Sequence, residues 1–342
     1  MNIVVLAGGF SVEREVSLTS GSLIANALVR LGHRVALLDT FWGVPQGQHP
    51  AALFADTPIF SHRVGTEVPD LTALKAARGG EALIGPGVME LCAQADVVFN
   101  AMHGGMGEDG RMQAALDCLG VRYTGTGALG AALSMDKQIA KTLLAAAGID
   151  TPCGVVVNVA DGAAAQTVLE TVGLPCVVKP VCGGSSVGVS MVDTPEQLEQ
   201  ALRDGGAYES RLLAEERIVG RELTVGVLGG KALPPVEIVP RQGFYDYRNK
   251  YQSGGATELC PAPLSEEQTA RLQELTLRGF EALHLSGYAR FDYLLDERGR
   301  FWCLEANALP GMTPTSLIPQ MAAAVGMSYE RLCETIVSLA LK

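Results

Sequence analysis

Residues 3–7 (IVVLA) form an apolar run that stops at Gly8-Gly9, the helix-periodic stretch SLTSGSLIANALVRLG follows, and RVALLD supplies a second apolar run. That order predicts strand, helix and parallel strand, the βαβ unit of a doubly wound sheet, whose ligand sites lie at the carboxyl ends of the strands. Glu13 falls in the first strand-to-helix loop and can reach such a crevice. Residues 41–86 are rich in Gly, Pro, His and Ala and read as a partly helical excursion. ADVVFNAMHGGMGEDG is then a strand entering a glycine-rich loop, with the helix RMQAALDCLG behind it. A further helix is expected from Met135 to Ala147, capped by Ser134 and ended by Gly148. VVVNVA, CVVKP, VGVSMV, RLLAEE and ELTVGVLGG read as short strands, with TPEQLEQALRD a helix among them, and no period of a repeat architecture recurs.

The densest chemistry lies at 287–317, GYARFDYLLDERGRFWCLEANALPGMTPTSL, which reads as a hairpin turning at DERG. Arg290 and Asp292 are two apart, as are Glu305 and Asn307, so each pair shares a strand face. Pairing around Glu297 and Arg298 predicts Arg290 opposite Glu305 with Asp292 diagonal to it, Cys303 on the same face, and Phe291, Leu304 and Ala306 on the other. From the hairpin alone two readings stay open. One is an exposed face with a cross-strand ion pair; the other is an all-oxygen site for a hard cation such as Mg2+.

With 342 residues and 48% apolar content the chain can bury sizeable cores, and two or three domains are expected. The formal charge of -11 argues against a nucleic-acid backbone or an anionic membrane as partner, and any nucleotide-binding lysines must be concentrated locally. No apolar run reaches the length of a membrane span, and MNIVVLAGG reads as a first strand, not a signal peptide. Eight scattered cysteines without a C-x-x-C pair argue against a zinc site or disulfide framework and suit a reducing cytosol, with Cys303 a buried thiol.

Neither G-x-x-x-x-G-K-[ST] nor G-x-G-x-x-G occurs. CVVKP instead leads into VCGGSSVGVS, where Gly183, Gly184 and Gly188 free backbone N–H groups and Ser185 and Ser186 add hydroxyls, a segment that can fold over phosphates. Lys179 just before it, and Lys137 near a helix start, can neutralise phosphate oxygens. Glu215 and Glu222, flanking RIVGR, fit either an adenine and ribose site or an acidic surface edge. Thr313, Thr315 and Ser316 open an apolar-periodic helix, where free amides suit a carboxylate and hydroxyls suit plain N-capping.

Together these segments resemble the D-alanine–D-alanine ligase family of the ATP-grasp fold. The match runs through GGFSVEREVSL (8–18), HGGMGEDG (103–110), SMDK (134–137), VVKPVCGGSSVGV (177–189), GRELTV (220–225), FYDYRNKY (244–251), ARFDY (289–293) and LEANALPGMTPTSL (304–317), and is weakest at 41–90. The resemblance implies an α/β chain with an N-terminal doubly wound, Rossmann-like domain followed by a two-subdomain ATP-grasp fold. The expected division is a substrate domain at 1–100, a central domain with the glycine-rich loop at 101–188, and a C-terminal domain with the metal site at 189–342.

Carried over by residue, the resemblance places Glu13 on the ammonium of the first D-alanine with His103 nearby, and groups Ser185 and Tyr251 with Glu13 to hold two loops closed. Lys137, Lys179 and Lys250 would contact ATP phosphates, and Glu215, Ile218 and Glu222 would line the adenosine pocket. Asp292, Glu305 and Asn307 would bind two Mg2+ ions, or Mn2+. Arg290 and the Gly311 amide would stabilise an oxyanion, while Ser316 and Leu317 would hold the second D-alanine's carboxylate. The implied reaction passes through an acylphosphate, so mobile loops at 181–188 and about 240–257 are expected to exclude water. A cytosolic homodimer making peptidoglycan precursor is the family's setting.

The chain departs from many members at Cys182 and Gly183, where a charged residue is usual, and at Glu216 and Arg217 on the adenine edge. Competing readings are a ligase adding D-serine or D-lactate, the latter disfavoured by Tyr251, and a catalytically silent nucleotide-binding regulator.

Overall fold

The computed structural model describes residues 1–62, 69–184, 187–240 and 256–342. Three sheets form in chain order. The first is parallel, with β1 (Asn2–Ala7) between β2 (Arg34–Asp39) and β3 (Val97–Asn100). The helix Arg14–Arg30 makes the crossover, and both faces of the sheet are covered, so β1 is apolar and buried from Ile3 to Ala7, as parallel pairing between two helical layers requires. The expected βαβ unit is therefore present. The excursion contributes a short 3-10 turn at Pro50–Leu53 and the helix Leu71–Arg78, and residues 63–68 within it lie outside the described residues.

The second sheet is antiparallel, in the order β4 (Gly154–Asn158), β7 (Arg211–Glu216), β5 (Cys176–Pro180), β6 (Ser190–Val192). Helices Ala164–Thr171 and Pro195–Gly206 cover one face through Val168, Leu198 and Ala201. The latter starts on a capping box, Thr194 with Gln197. Its other face is left for the cleft.

The third sheet runs β11 (Ala256–Leu259), β10 (Val236–Pro240), β8 (Arg221–Leu228), β12 (Tyr288–Leu295), β13 (Phe301–Asn307), with β9 (Lys231–Ala232) on β8. Leu223, Val225, Val227, Phe291 and Tyr293 face a core shared with the helix Glu266–Ala282. On the opposite face the helix Leu317–Ala324 packs against β8 at Gly226, where an added Cβ would lie 2.4 Å from Ile318 Cδ1. Only a glycine lets that helix approach so closely. The last helix, Tyr329–Ala340, docks on Arg14–Arg30 through Arg30–Glu330 and His33–Glu334, tying the end of the chain to its beginning.

Two sequence expectations need correction. The helix expected at 135–147 is present but starts later, as Lys137–Ala146: Met135 ends the preceding helix, Ala128–Met135, and Asp136 lies between them. The cap is the Asp136 carboxylate, which accepts from the Gln138 and Ile139 amides; Ser134 lies inside the preceding helix, where its hydroxyl donates back to the carbonyls of Gly130 and Ala131.

The hairpin turn is where DERG put it, but its register differs. Leu295 pairs with Phe301 and Tyr293 with Cys303; beyond a bulge, Asp292 faces Glu305 and Arg290 faces Asn307. The extra residue is Leu304. Strict alternation would turn Glu305 into the core once Cys303 points there; the bulge instead sets Leu304 and Glu305 both on the cleft side. Cys303 is thus a fully buried core thiol opposite Tyr293, not a member of the polar face, and Leu304 is a cleft residue rather than a core one.

Candidate active site

Between the second and third sheets lies a cavity of about 490 Å³ lined by Lys137, Lys179, Glu215, Ile218, Glu222, Asp292 and Glu305 among others. Residues from well-separated segments meet here because two antiparallel sheets turn facing surfaces toward each other and the helix Lys137–Ala146 closes one end. A smaller cavity, about 430 Å³, is lined by Ser11, Glu13, Gly104, Glu108, Cys182 and Glu209. Pro180, Gly183, Gly184 and Val187 line both, so the glycine-rich segment is the wall between them.

At the oxygen-rich end, Asp292 is held from three sides. Arg290 donates to it twice, at 2.9 and 2.8 Å, Thr224 Oγ1 donates at 2.7 Å, and Asn307 Nδ2 lies at 3.0 Å. Glu305 stands directly across from it. Among the described residues no trio of His, Cys, Asp and Glu stands together as a metal site, so a two-carboxylate, one-amide set is what the strand pair presents. That donor set fits a hard cation that keeps waters and takes phosphate oxygens, and fits no thiolate-seeking metal.

The basic end contains the lysine cluster that an acidic chain requires. Lys137 donates to the Gly183 carbonyl and lies 4.0 Å from Glu305, joining helix, glycine-rich segment and hairpin. Burial lowers its pKa, opposed chiefly by Glu305. Lys179 and Lys141 grip one oxygen each of Glu215, a carboxylate only 3% exposed. Burial pushes the Glu215 carboxyl up, yet the two ammonium groups outweigh it and hold it below the ordinary value. Cys182 adds no charge: desolvation, with the nearby Glu209, pushes its thiol up to about 11.

In the smaller cavity Glu13 is largely buried, and its Oε2 would lie 3.5 Å from a Cβ on Gly184. Its loop is anchored by Asp39, which takes Arg14 and the amides of Gly9 (3.4 Å) and Phe41 (3.0 Å). Arg14 also donates to the Gly9 carbonyl. His103 stands behind the loop, with Nε2 3.3 Å from Ser20 Oγ and Nδ1 3.7 Å from Glu108.

Gly311, Ser316 and Leu317 cluster at the start of the helix Leu317–Ala324, and among the described residues they line neither cavity. Ser316 is the N-cap, its hydroxyl taking the Thr313 amide at 3.1 Å and meeting Thr313 Oγ1 at 2.8 Å, while the Leu317 side chain is in the core. Ser185, Lys250 and Tyr251 lie outside the described residues, as do residues 185–186 of the first loop expected to move and 241–255 of the second.

Sequence reasoning missed Lys141 and the Arg14–Asp39 pair. Lys141 carried a usable signal, being four residues beyond Lys137 and so on the same helix face. Asp39, at the carboxyl end of β2, lay where doubly wound sheets place their ligands.

Fold and cleft together define a member of the ATP-grasp class. Family models described as D-ala D-ala ligase N-terminus and C-terminus match residues 2–126 and 143–338. A D-alanine–D-alanine ligase of Pediococcus pentosaceus is 39% identical over 98% of this chain and 97% of its own length. One from Nitratidesulfovibrio vulgaris is 40% identical over 99% and 98%. Among solved structures, the Bacillus anthracis D-alanine–D-alanine ligase complexed with ATP aligns with a TM-score of 0.77 at 27% identity, covering 100% of this chain and 97% of that one. The chain belongs to the D-alanine–D-alanine ligase family, enzymes that join two D-alanines at the expense of ATP.

Proposed function

We propose that ATP occupies the larger cavity with its phosphates toward Lys137 and Lys179, that the first D-alanine sits by Glu13, and that the two meet across the glycine-rich wall. The observation carrying this reading is that both lysines, Glu215, Asp292 and Glu305 line one cavity while Glu13 lines the other, with Gly183 and Gly184 common to both. In this reading residues 1–100 supply the amino-acid pocket, 101–188 the phosphate cover and 189–342 the metal face.

A carboxylate does not condense with an amine in water without activation, so the first D-alanine attacks the γ-phosphate and the second attacks the resulting acylphosphate. Glu13 orients the first ammonium, and the lysines draw the phosphates into line. Asp292, Glu305 and Asn307 would hold two Mg2+ ions, which when bound spread the charge of the transferring phosphoryl group. Arg290, fixed on Asp292, would stabilise the oxyanion, where one such donor is typically worth about 3–4 kcal/mol. Ser316 and the first amides of its helix suit the carboxylate of the second D-alanine.

No helix among the described residues is long and apolar enough to cross a membrane. All eight cysteines are free thiols, which supports a cytosolic setting. We further propose a homodimer and a role in supplying peptidoglycan precursor. The test is phosphate release from ATP by the purified protein with D-alanine, with and without a chelator, and mass analysis of the dipeptide formed from mixed D-amino acids. D-alanyl-D-alanine, lost on chelation and restored by Mg2+, is expected. Release that ignores D-alanine overturns the ligase assignment, and turnover that ignores the chelator overturns the metal face.

A further inference from the structure

Lys141 makes one contact that the reaction as derived does not use: its Nζ bonds to Glu215 Oε2 while Lys179 holds Glu215 Oε1. The cavity lining includes Lys179 and Glu215 but not Lys141, which stands one step behind. All three are buried, at 9% exposure for Lys141, 7% for Lys179 and 3% for Glu215. In this arrangement both carboxylate oxygens are taken, and Lys179 is turned toward Glu215.

A nucleotide changes the balance. Its phosphates compete for Lys179, and if Lys179 were the only cation on Glu215, its departure would strand a buried carboxylate, a penalty set directly against binding. With Lys141 in place the carboxylate keeps a cation when Lys179 leaves, and Glu215 itself lines the cavity.

We propose that Lys141 is a positioning residue of the nucleotide site: it holds Glu215 while phosphates draw Lys179 away, and so leaves Glu215 Oε1 to accept the 6-amino group of an adenine. The proposal rests on the reading that the larger cavity takes ATP, and makes Lys141 a determinant of base choice through Glu215. Both charged partners are used consistently: burial lowers the Lys141 pKa, opposed chiefly by Glu215, so the pair persists as mutual compensation.

The test compares the parent protein with Lys141→Met and Lys141→Arg, using ATP and inosine triphosphate, which carries a carbonyl in place of the 6-amino group. The parent is expected to favour ATP. In Lys141→Met the ratio of kcat/KM for ATP to that for inosine triphosphate should fall about tenfold, the scale of one hydrogen bond to a charged group. KM for ATP should rise and KM for D-alanine hold, with Lys141→Arg recovering most of the ratio. Should Lys141→Met not fold, Lys141→Gln, which drops the charge but keeps a donor, gives the same readout. A merely structural lysine would slow both nucleotides equally and leave the ratio unchanged, which overturns the proposal, as does a parent indifferent to the two bases. A parent with no D-alanine-dependent turnover instead strikes at the reading of the cleft.

Discussion

Asp292 and Glu305 stand directly opposite each other in the β12–β13 pair because Leu304 bulges out of the ladder between Glu305 and Cys303. Without that extra residue, alternation from the buried Cys303 would send Glu305 into the core. The polar face of this cleft is therefore a product of one local irregularity in an otherwise regular hairpin.

Arg290 reaches Asp292 with two guanidinium nitrogens, a fork that an ammonium cannot reproduce. Arg290→Lys should lower kcat by about a hundredfold, as for loss of one oxyanion donor. KM for ATP should change little. Steady-state kinetics check this, and an unaltered kcat would remove Arg290 from the chemistry.

Asp39 gathers Arg14 and two backbone amides under the loop that presents Glu13. Asp39→Ala frees that loop and should raise KM for D-alanine about tenfold, since buried hydrogen bonds to charged groups are worth that much. KM for ATP, read from the other cavity, should stay put. Equal effects on both substrates would count against this division of labour.

At Gly104 the backbone has φ +70°, and an added Cβ would lie 2.3 Å from Ser11 Oγ and 2.8 Å from Glu13 Oε2. Gly104→Ala should therefore cost about 1–3 kcal/mol of stability through backbone strain and displace Glu13. Thermal unfolding with D-alanine titration measures both; a variant with parental Tm and parental KM would show that the crowding is relieved elsewhere.

Glu215 ties its stability contribution to pH. Its folded carboxyl lies below the ordinary value of 4.5, so the contribution is complete above that value and is lost as pH falls through the lower folded one. Glu215→Gln leaves two buried lysines without their carboxylate and should destabilise by about 3–5 kcal/mol at pH 7. The gap between parent and variant should narrow below pH 4.5. Unfolding curves at several pH values provide the check, and a gap that widens in acid would reverse the assignment.

Much of this molecule was legible in the sequence. The βαβ opening, the strands CVVKP and RLLAEE, the DERG turn, and the sharing of a strand face by Arg290 with Asp292 and by Glu305 with Asn307 follow from periodicity and turn chemistry, which act over a few residues. The family resemblance extended that to the ligase assignment.

What the sequence could not decide depended on neighbours distant along the chain. Ser134 looked like a cap, but Asp136 serves because the preceding helix runs on through Ser134 to Met135 and the next begins only at Lys137. The bulge at Leu304 is set by the packing of Cys303 and Ala306 into a core built largely from other segments. Lys141 and Glu215 are 74 residues apart, and Arg14 and Asp39 are 25 apart. Local pattern fixes which face a side chain takes, because backbone geometry repeats every few residues. Which partner it meets there is fixed only when separate sheets close on each other and buried charges must find their counterparts.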